Sequence, residues 1–84
     1  MKEYTLQPTD SRKSFYGKAR VIEDGDTYTL ISYTTAVARI QGGRFARLWD
    51  GYSATTMRHI NSFRNTYGFE SIPKKVWDGL DIED

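Results

Sequence analysis

The chain has 84 residues, no cysteine, 12 Lys and Arg against 11 Asp and Glu, and a formal net charge of +1. That length makes one domain that buries roughly 60–65% of its extended surface and has little material for a deep cleft. The composition excludes disulfide scaffolds, thiolate zinc sites and cysteine nucleophiles, and the near-neutral charge excludes polyanion binding by bulk electrostatics.

The opening "MKEYTLQPTDSRKS" has no apolar signal-peptide core, and no apolar run approaches the ~20 residues of a membrane span. The expectation is a cytoplasmic protein without a membrane partner. Residues 1–13 show no period and contain Pro8, Asp10 and Ser11. They read as a flexible arm, with Tyr4 and Leu6 as the residues that could pin it to the body, followed by a single α+β domain over 14–80 and an acidic tail over 81–84.

From Ser14 the pattern alternates, which predicts a strand. Phe15, Gly17, Ala19 and Val21 fall on one side, and Tyr16, Lys18, Arg20 and Ile22 on the other. Asp24-Gly25 supplies a two-residue hairpin turn, because both central residues of a type I′ turn need positive φ. That placement sets Val21 opposite Tyr28, Ala19 opposite Leu30 and Gly17 opposite Ser32. Phe15, Ala19, Val21, Tyr28 and Leu30 then form a core face. Tyr16, Lys18, Arg20, Thr29, Ile31 and Tyr33 form an outer face.

Gly42-Gly43 predicts a second tight turn. It places Ile40 opposite Phe45, Ala38 opposite Arg47 and Ala36 opposite Trp49. Ala36, Ala38, Ile40, Phe45 and Trp49 read as the inner face, with Arg47 as the exception, at an edge or reaching out along its stem. Arg39 and Arg44 fall outside with Val37. The fold class is therefore α+β, a four-stranded antiparallel meander packed on one α-helix.

The helix is expected over about Ala54 to Tyr67. Ser53 is the N-cap, with its hydroxyl accepting from the Thr56 amide. Thr56, Met57, Ile60, Phe63 and Tyr67 make the apolar arc. Gly68 is the left-handed stop, with Phe69 folding back on the last turn. His59 lies beside the arc and Arg64 at its rim, paired with an acid, for which the C-terminal tail is one source. Beyond it, Pro73 opens and Gly79 closes a short turn or helix anchored by Trp77.

"KSFYGKARV", "LISYTTAVARI" and "DGYSATTMRHINSF" together resemble a small uncharacterised family carried by phages and integrative elements of Gram-positive bacteria. The resemblance runs from about Lys13 to Phe63, and "YSATTMRHI" is its most specific part. The family has no established chemistry, so the resemblance carries no catalytic residue. It implies a small accessory protein of a mobile element.

For function, a lone histidine without a second His, a Cys or an acid at i,i+4 builds no metal site. No nucleophile–base–acid constellation stands out, and Glu23, Asp24 and Asp26 are explained by the hairpin turn. The expectation is no enzyme, no metal and no cofactor. A non-catalytic inhibitor or modulator of a host protein fits, in the manner of proteins that block defence systems such as CRISPR nucleases. Tyr16, Lys18, Arg20, Tyr33, Arg39 and Arg44 are its candidate partner-binding residues, because ring and guanidinium anchors dominate interface energetics. The alternative is a small nucleic-acid-binding module that uses the same outer sheet face as a stacking platform. Ser53 and Arg58 at the helix start are a candidate anion site. An exposed edge strand allows a monomer or a homodimer.

Overall fold

The computed structural model describes residues 1–10 and 14–83. Ser11, which the arm reading used, and Asp84, the end of the acidic tail, lie outside them. Five strands and two helices follow in chain order: β1 (Lys2–Thr5), β2 (Ala19–Asp24), β3 (Thr27–Ser32), β4 (Thr35–Gln41), β5 (Arg44–Arg47), α1 (Ala54–Thr66) and α2 (Lys74–Asp78). The strands form one antiparallel sheet in the order β1-β2-β3-β4-β5. Among the described residues no helix is long and apolar enough to cross a membrane.

The sheet has five strands, not four. Lys2–Thr5 pairs with β2, setting Glu3 opposite Ile22 and Tyr4 opposite Val21. All four β1 residues are exposed, so this edge strand carries no apolar alternation by which a sequence pattern betrays a strand. Leu6, just beyond it, is buried and bonds through its N–H to the Ala19 carbonyl.

The first hairpin turns one residue later than the Asp-Gly pair suggests. Asp24 faces Thr27, Val21 faces Leu30 and Ala19 faces Ser32. Moving a turn by one residue moves every partner by two, so the same side chains still face inward. Ala19, Val21 and Leu30 are fully buried, as the alternation predicts. The second hairpin has the predicted register, with Ile40 opposite Phe45 and Ala38 opposite Arg47.

Between these hairpins the ladder slips. Leu30 pairs Ala38 but Ile31 pairs Ala36, which leaves Val37 as the extra residue of a β-bulge. The bulge resets the alternation. Val37, expected outside, is buried, and Ala36, expected inside, is exposed.

Helix α1 packs on the inner face through Met57, Ile60 and Phe63, which join Val21, Leu30 and Ile40 in the core. Its ends are those the sequence encodes. Ser53 Oγ accepts from the Thr56 N–H at 3.0 Å. Gly68 has φ +88°, Phe69 N–H bonds Arg64 O at 2.8 Å and Gly68 N–H bonds Asn65 O, a Schellman stop.

The chain after α1 is pinned back by Asn61, whose amide donates to Ile72 O and accepts from Ile72 N–H. Trp77 of α2 is fully buried, and its indole N–H donates to Gly51 O. Gly51 has no room for a Cβ, which would run into the Trp49 ring. Arg47 is buried as well and does not reach out. Its guanidinium donates to Trp49 O at 2.7 Å, Trp77 O at 2.8 Å and Leu80 O at 3.4 Å, and lies over the Trp77 ring. One buried arginine thus fastens β5 to the C-terminal segment.

That segment continues along β5. Ile82 bridges Arg47 in parallel and Glu83 N–H bonds Arg47 O at 2.7 Å. The Glu83 carboxylate takes two bonds from Arg44, at 3.0 and 2.7 Å, and lies 3.9 Å from Arg39. Arg64, expected to pair with an acidic side chain, instead donates to the Glu70 backbone carbonyl and covers the rings of Phe45 and Phe69.

Candidate aromatic pocket around His59

Two tyrosines depart from the expected sheet face. Tyr16 and Tyr33 lie in turns and have φ of +53° and +58°, the only described non-glycine residues with positive φ. A left-handed conformation costs a bulky side chain on the order of 1 kcal/mol or more, and Gly or Asn normally fills it. Tyr16-Gly17 occupies the centre of a tight turn closed by Lys18 N–H to Phe15 O at 2.9 Å. Tyr33 starts the β3–β4 turn, and its N–H donates to Lys18 O at 2.7 Å. That bond ties the two turns together at one end of the sheet. Both rings remain exposed, at 72% and 50%.

Between them opens a cavity of about 350 Å³ lined by Phe15, Tyr16, Lys18, Tyr33, Arg58 and His59, together with Ser14 and Thr55. His59, expected beside the apolar arc, is 1% exposed. Phe15 meets its imidazole edge-to-face at 4.5 Å, and Tyr33 lies tilted at 5.8 Å. Ser32 Oγ is 2.8 Å from His59 Nδ1 and 3.1 Å from Thr56 Oγ1. Burial, reinforced by the Arg58 charge, lowers the His59 pKa to about 4, so the ring is neutral at pH 7. No described residue hydrogen-bonds its Nε2.

A Ser–His contact invites comparison with nucleophilic catalysis, but the geometry differs. Ser32 is buried, is not among the cavity's lining residues, and approaches Nδ1, the nitrogen that an orienting acid holds in a triad. Its hydroxyl positions the ring.

The remaining candidate residues are distributed as follows. Lys18 lines the cavity, and among the described residues its ammonium has no carboxylate partner. Arg58 holds Asp10 in a two-pronged pair at 3.0 and 3.0 Å and lies over Phe15. Ser53 is the helix cap, and its hydroxyl is not among the cavity's lining groups. Arg20, Arg39 and Arg44 do lie on the outer sheet face. Arg20 meets Glu3 at 2.7 Å, and Arg39 and Arg44 meet Glu83. By the strand register, the outer face carries Ile22, Thr29 and Ile31 between these arginines and none of the aromatic strand residues. Tyr16, Lys18 and Tyr33 are thus brought together at a different place from Arg20, Arg39 and Arg44.

Sequence reasoning singled out both tyrosines but not the pocket. His59 and Phe15 belong to it, and their roles depend on contacts across the fold. The one local signal is Tyr-Gly at 16–17, a dipeptide suited to a left-handed turn.

Residues 4–79, almost the whole described body, match a family described as a family of unknown function (DUF8033). The chain belongs to that family. No curated protein and no solved structure matches it. The pocket residues Phe15, Tyr16, Lys18, Tyr33, Arg58 and His59 all fall within the DUF8033 span.

Proposed function

We propose that this DUF8033 protein is a non-catalytic binding protein that modulates a host protein on behalf of a mobile element, and that it does so through the edge where Tyr16 and Tyr33 project. The observation that carries the reading is their backbone. Two bulky residues hold left-handed φ while their rings stay largely exposed, so burial offsets the strain only in part. A backbone already held in these tight turns loses little further entropy on contact, and Tyr is over-represented among the residues that dominate interfaces. Arg58 and Lys18 border the same edge. The mobile-element setting and an anti-defence role, such as CRISPR-nuclease inhibition, rest on the sequence resemblance.

The outer sheet face supports nucleic-acid binding less well. Its arginines are matched by Glu3 and Glu83, and its strand residues offer no ring for a base to stack on.

The test is affinity purification with mass spectrometry from a Gram-positive host, comparing wild type, the Tyr16→Gly/Tyr33→Gly double variant and the outer-face variant Arg20→Ser. One dominant host protein, lost with the tyrosine variant and kept with Arg20→Ser, is the expected result. Recovery of none under several conditions overturns the reading. So does single-stranded nucleic acid that binds tightly and weakens steeply with salt.

A further inference from the structure

We infer that the cavity between Tyr16 and Tyr33 is a slot for the tip of a Trp or Tyr side chain of the protein partner, with an adjacent carboxylate of that partner seated on Lys18. This rests on the binding reading above and adds the chemistry of what is bound.

The walls are aromatic. Phe15, Tyr16 and Tyr33 surround a space of about 350 Å³, within the ~300–1,000 Å³ range of ligand pockets, and rings favour an inserted planar group in offset or edge-on contact. His59 lines the same space. His59 is 99% buried and its Nδ1 is engaged by Ser32, while Nε2 has no partner among the described residues. In the tautomer whose Nδ1–H donates to Ser32, with the Ser32 hydroxyl free to donate to Thr56 Oγ1, Nε2 is an acceptor. An indole N–H or a phenol O–H satisfies it, and the apolar body of either ring satisfies the walls. A phenylalanine tip fills the same space and leaves that nitrogen unpaired, which costs about tenfold in affinity.

The rim selects charge. Arg58 is already engaged by Asp10, whereas Lys18 has no acid among the described residues. A nucleotide would seek amide N–H groups for its phosphate, and three of those at the two turns are already engaged. Tyr16 N–H donates to Ser14 Oγ, Lys18 N–H to Phe15 O and Tyr33 N–H to Lys18 O. A single ammonium matches one carboxylate better than a phosphodiester chain.

The experiment is an NMR titration of the labelled full chain with the blocked dipeptides Ac-Trp-Asp-NH2, Ac-Phe-Asp-NH2 and Ac-Trp-Ala-NH2, and with the mononucleotide AMP. Ac-Trp-Asp-NH2 is expected to shift the His59, Phe15 and Tyr33 signals saturably. Ac-Phe-Asp-NH2 should bind about tenfold more weakly. Lys18→Ser should weaken the Trp-Asp probe down to the level of Trp-Ala and leave Trp-Ala unchanged. Tyr33→Gly should abolish the shifts with the amide spectrum otherwise intact, and that glycine suits the existing φ, so loss of fold does not confuse the result. No saturable shift at these residues, equal binding of the Phe and Trp probes, or AMP binding tighter than every dipeptide overturns the slot. A host protein captured through Tyr16 and Tyr33 without any dipeptide response leaves the binding reading standing and removes this inference alone.

Discussion

Ser32 on β3 holds the Nδ1 of His59 on α1 at 2.8 Å, a buried contact between sheet and helix directly behind the cavity. The same hydroxyl meets Thr56 Oγ1 at 3.1 Å. Ser32→Ala strips both groups of a buried partner. The expected loss is about 1–3 kcal/mol in urea unfolding. The His59 ring signals should also broaden or split, because the bond that fixes the imidazole is gone.

His59 makes stability depend on pH. Its folded pKa lies near 4 and its ordinary value is 6.5, so the unfolded chain binds the proton more readily. The contribution is complete above the unfolded value. It falls as pH drops through that window and is lost once pH passes below the folded value. Its size is about 3 kcal/mol. Carboxylates add their own dependence, so the measurement is a difference. Between pH 7 and pH 4 the wild type should lose about 3 kcal/mol more than His59→Gln does, read by urea unfolding at both pH values. Equal losses would place the histidine's titration outside the folding equilibrium.

The helix was legible because its boundaries are local. Ser53, Gly68 and the arc from Met57 to Phe63 lie within one stretch, and the cap and stop have fixed chemistry. Ser53→Ala should therefore lower stability by about 1 kcal/mol in thermal or urea unfolding, with little effect at the pocket.

What the sequence could not convey depends on other segments. The bulge at Val37 exists because β3 and β4 slip against each other, and no feature of "TAVARIQ" alone marks it. β1 exists because β2 offers an edge, although its own residues bury nothing. Alternation assigns Tyr16 and Tyr33 to a face, but it stops where backbone φ turns positive, and apart from the glycine after Tyr16 nothing beside either residue signals that. His59 is beside the arc on a helical wheel. It becomes buried only because Phe15 and Ser32 arrive from elsewhere.

Arg47 illustrates the same point with a measurable consequence. On the pattern it breaks an apolar face; in the fold its fork reaches the Trp49, Trp77 and Leu80 carbonyls and lies 4.6 Å from the Trp77 ring centre. An ammonium keeps the charge but not the planar fork or the stacking. Arg47→Lys should cost about 2–3 kcal/mol and red-shift tryptophan fluorescence as the C-terminal segment loosens. A neutral outcome would mean that α2 is held by Trp77 burial alone.

Tyr16 and Tyr33 give the prediction that separates stability from function. Glycine occupies left-handed φ without the Cβ clash, but it also widens the unfolded ensemble at a cost of roughly 0.5–1 kcal/mol. Relief of strain, about 1 kcal/mol or more per site, offsets that cost, and the exposed rings forfeit little burial. Tyr16→Gly and Tyr33→Gly should therefore leave the unfolding free energy unchanged within about 0.5 kcal/mol or raise it. A loss above about 2 kcal/mol for either would show that the ring is a structural prop of the turn pair. The left-handed tyrosines would then be explained by folding, and the case for a contact surface at this edge would lose its physical basis.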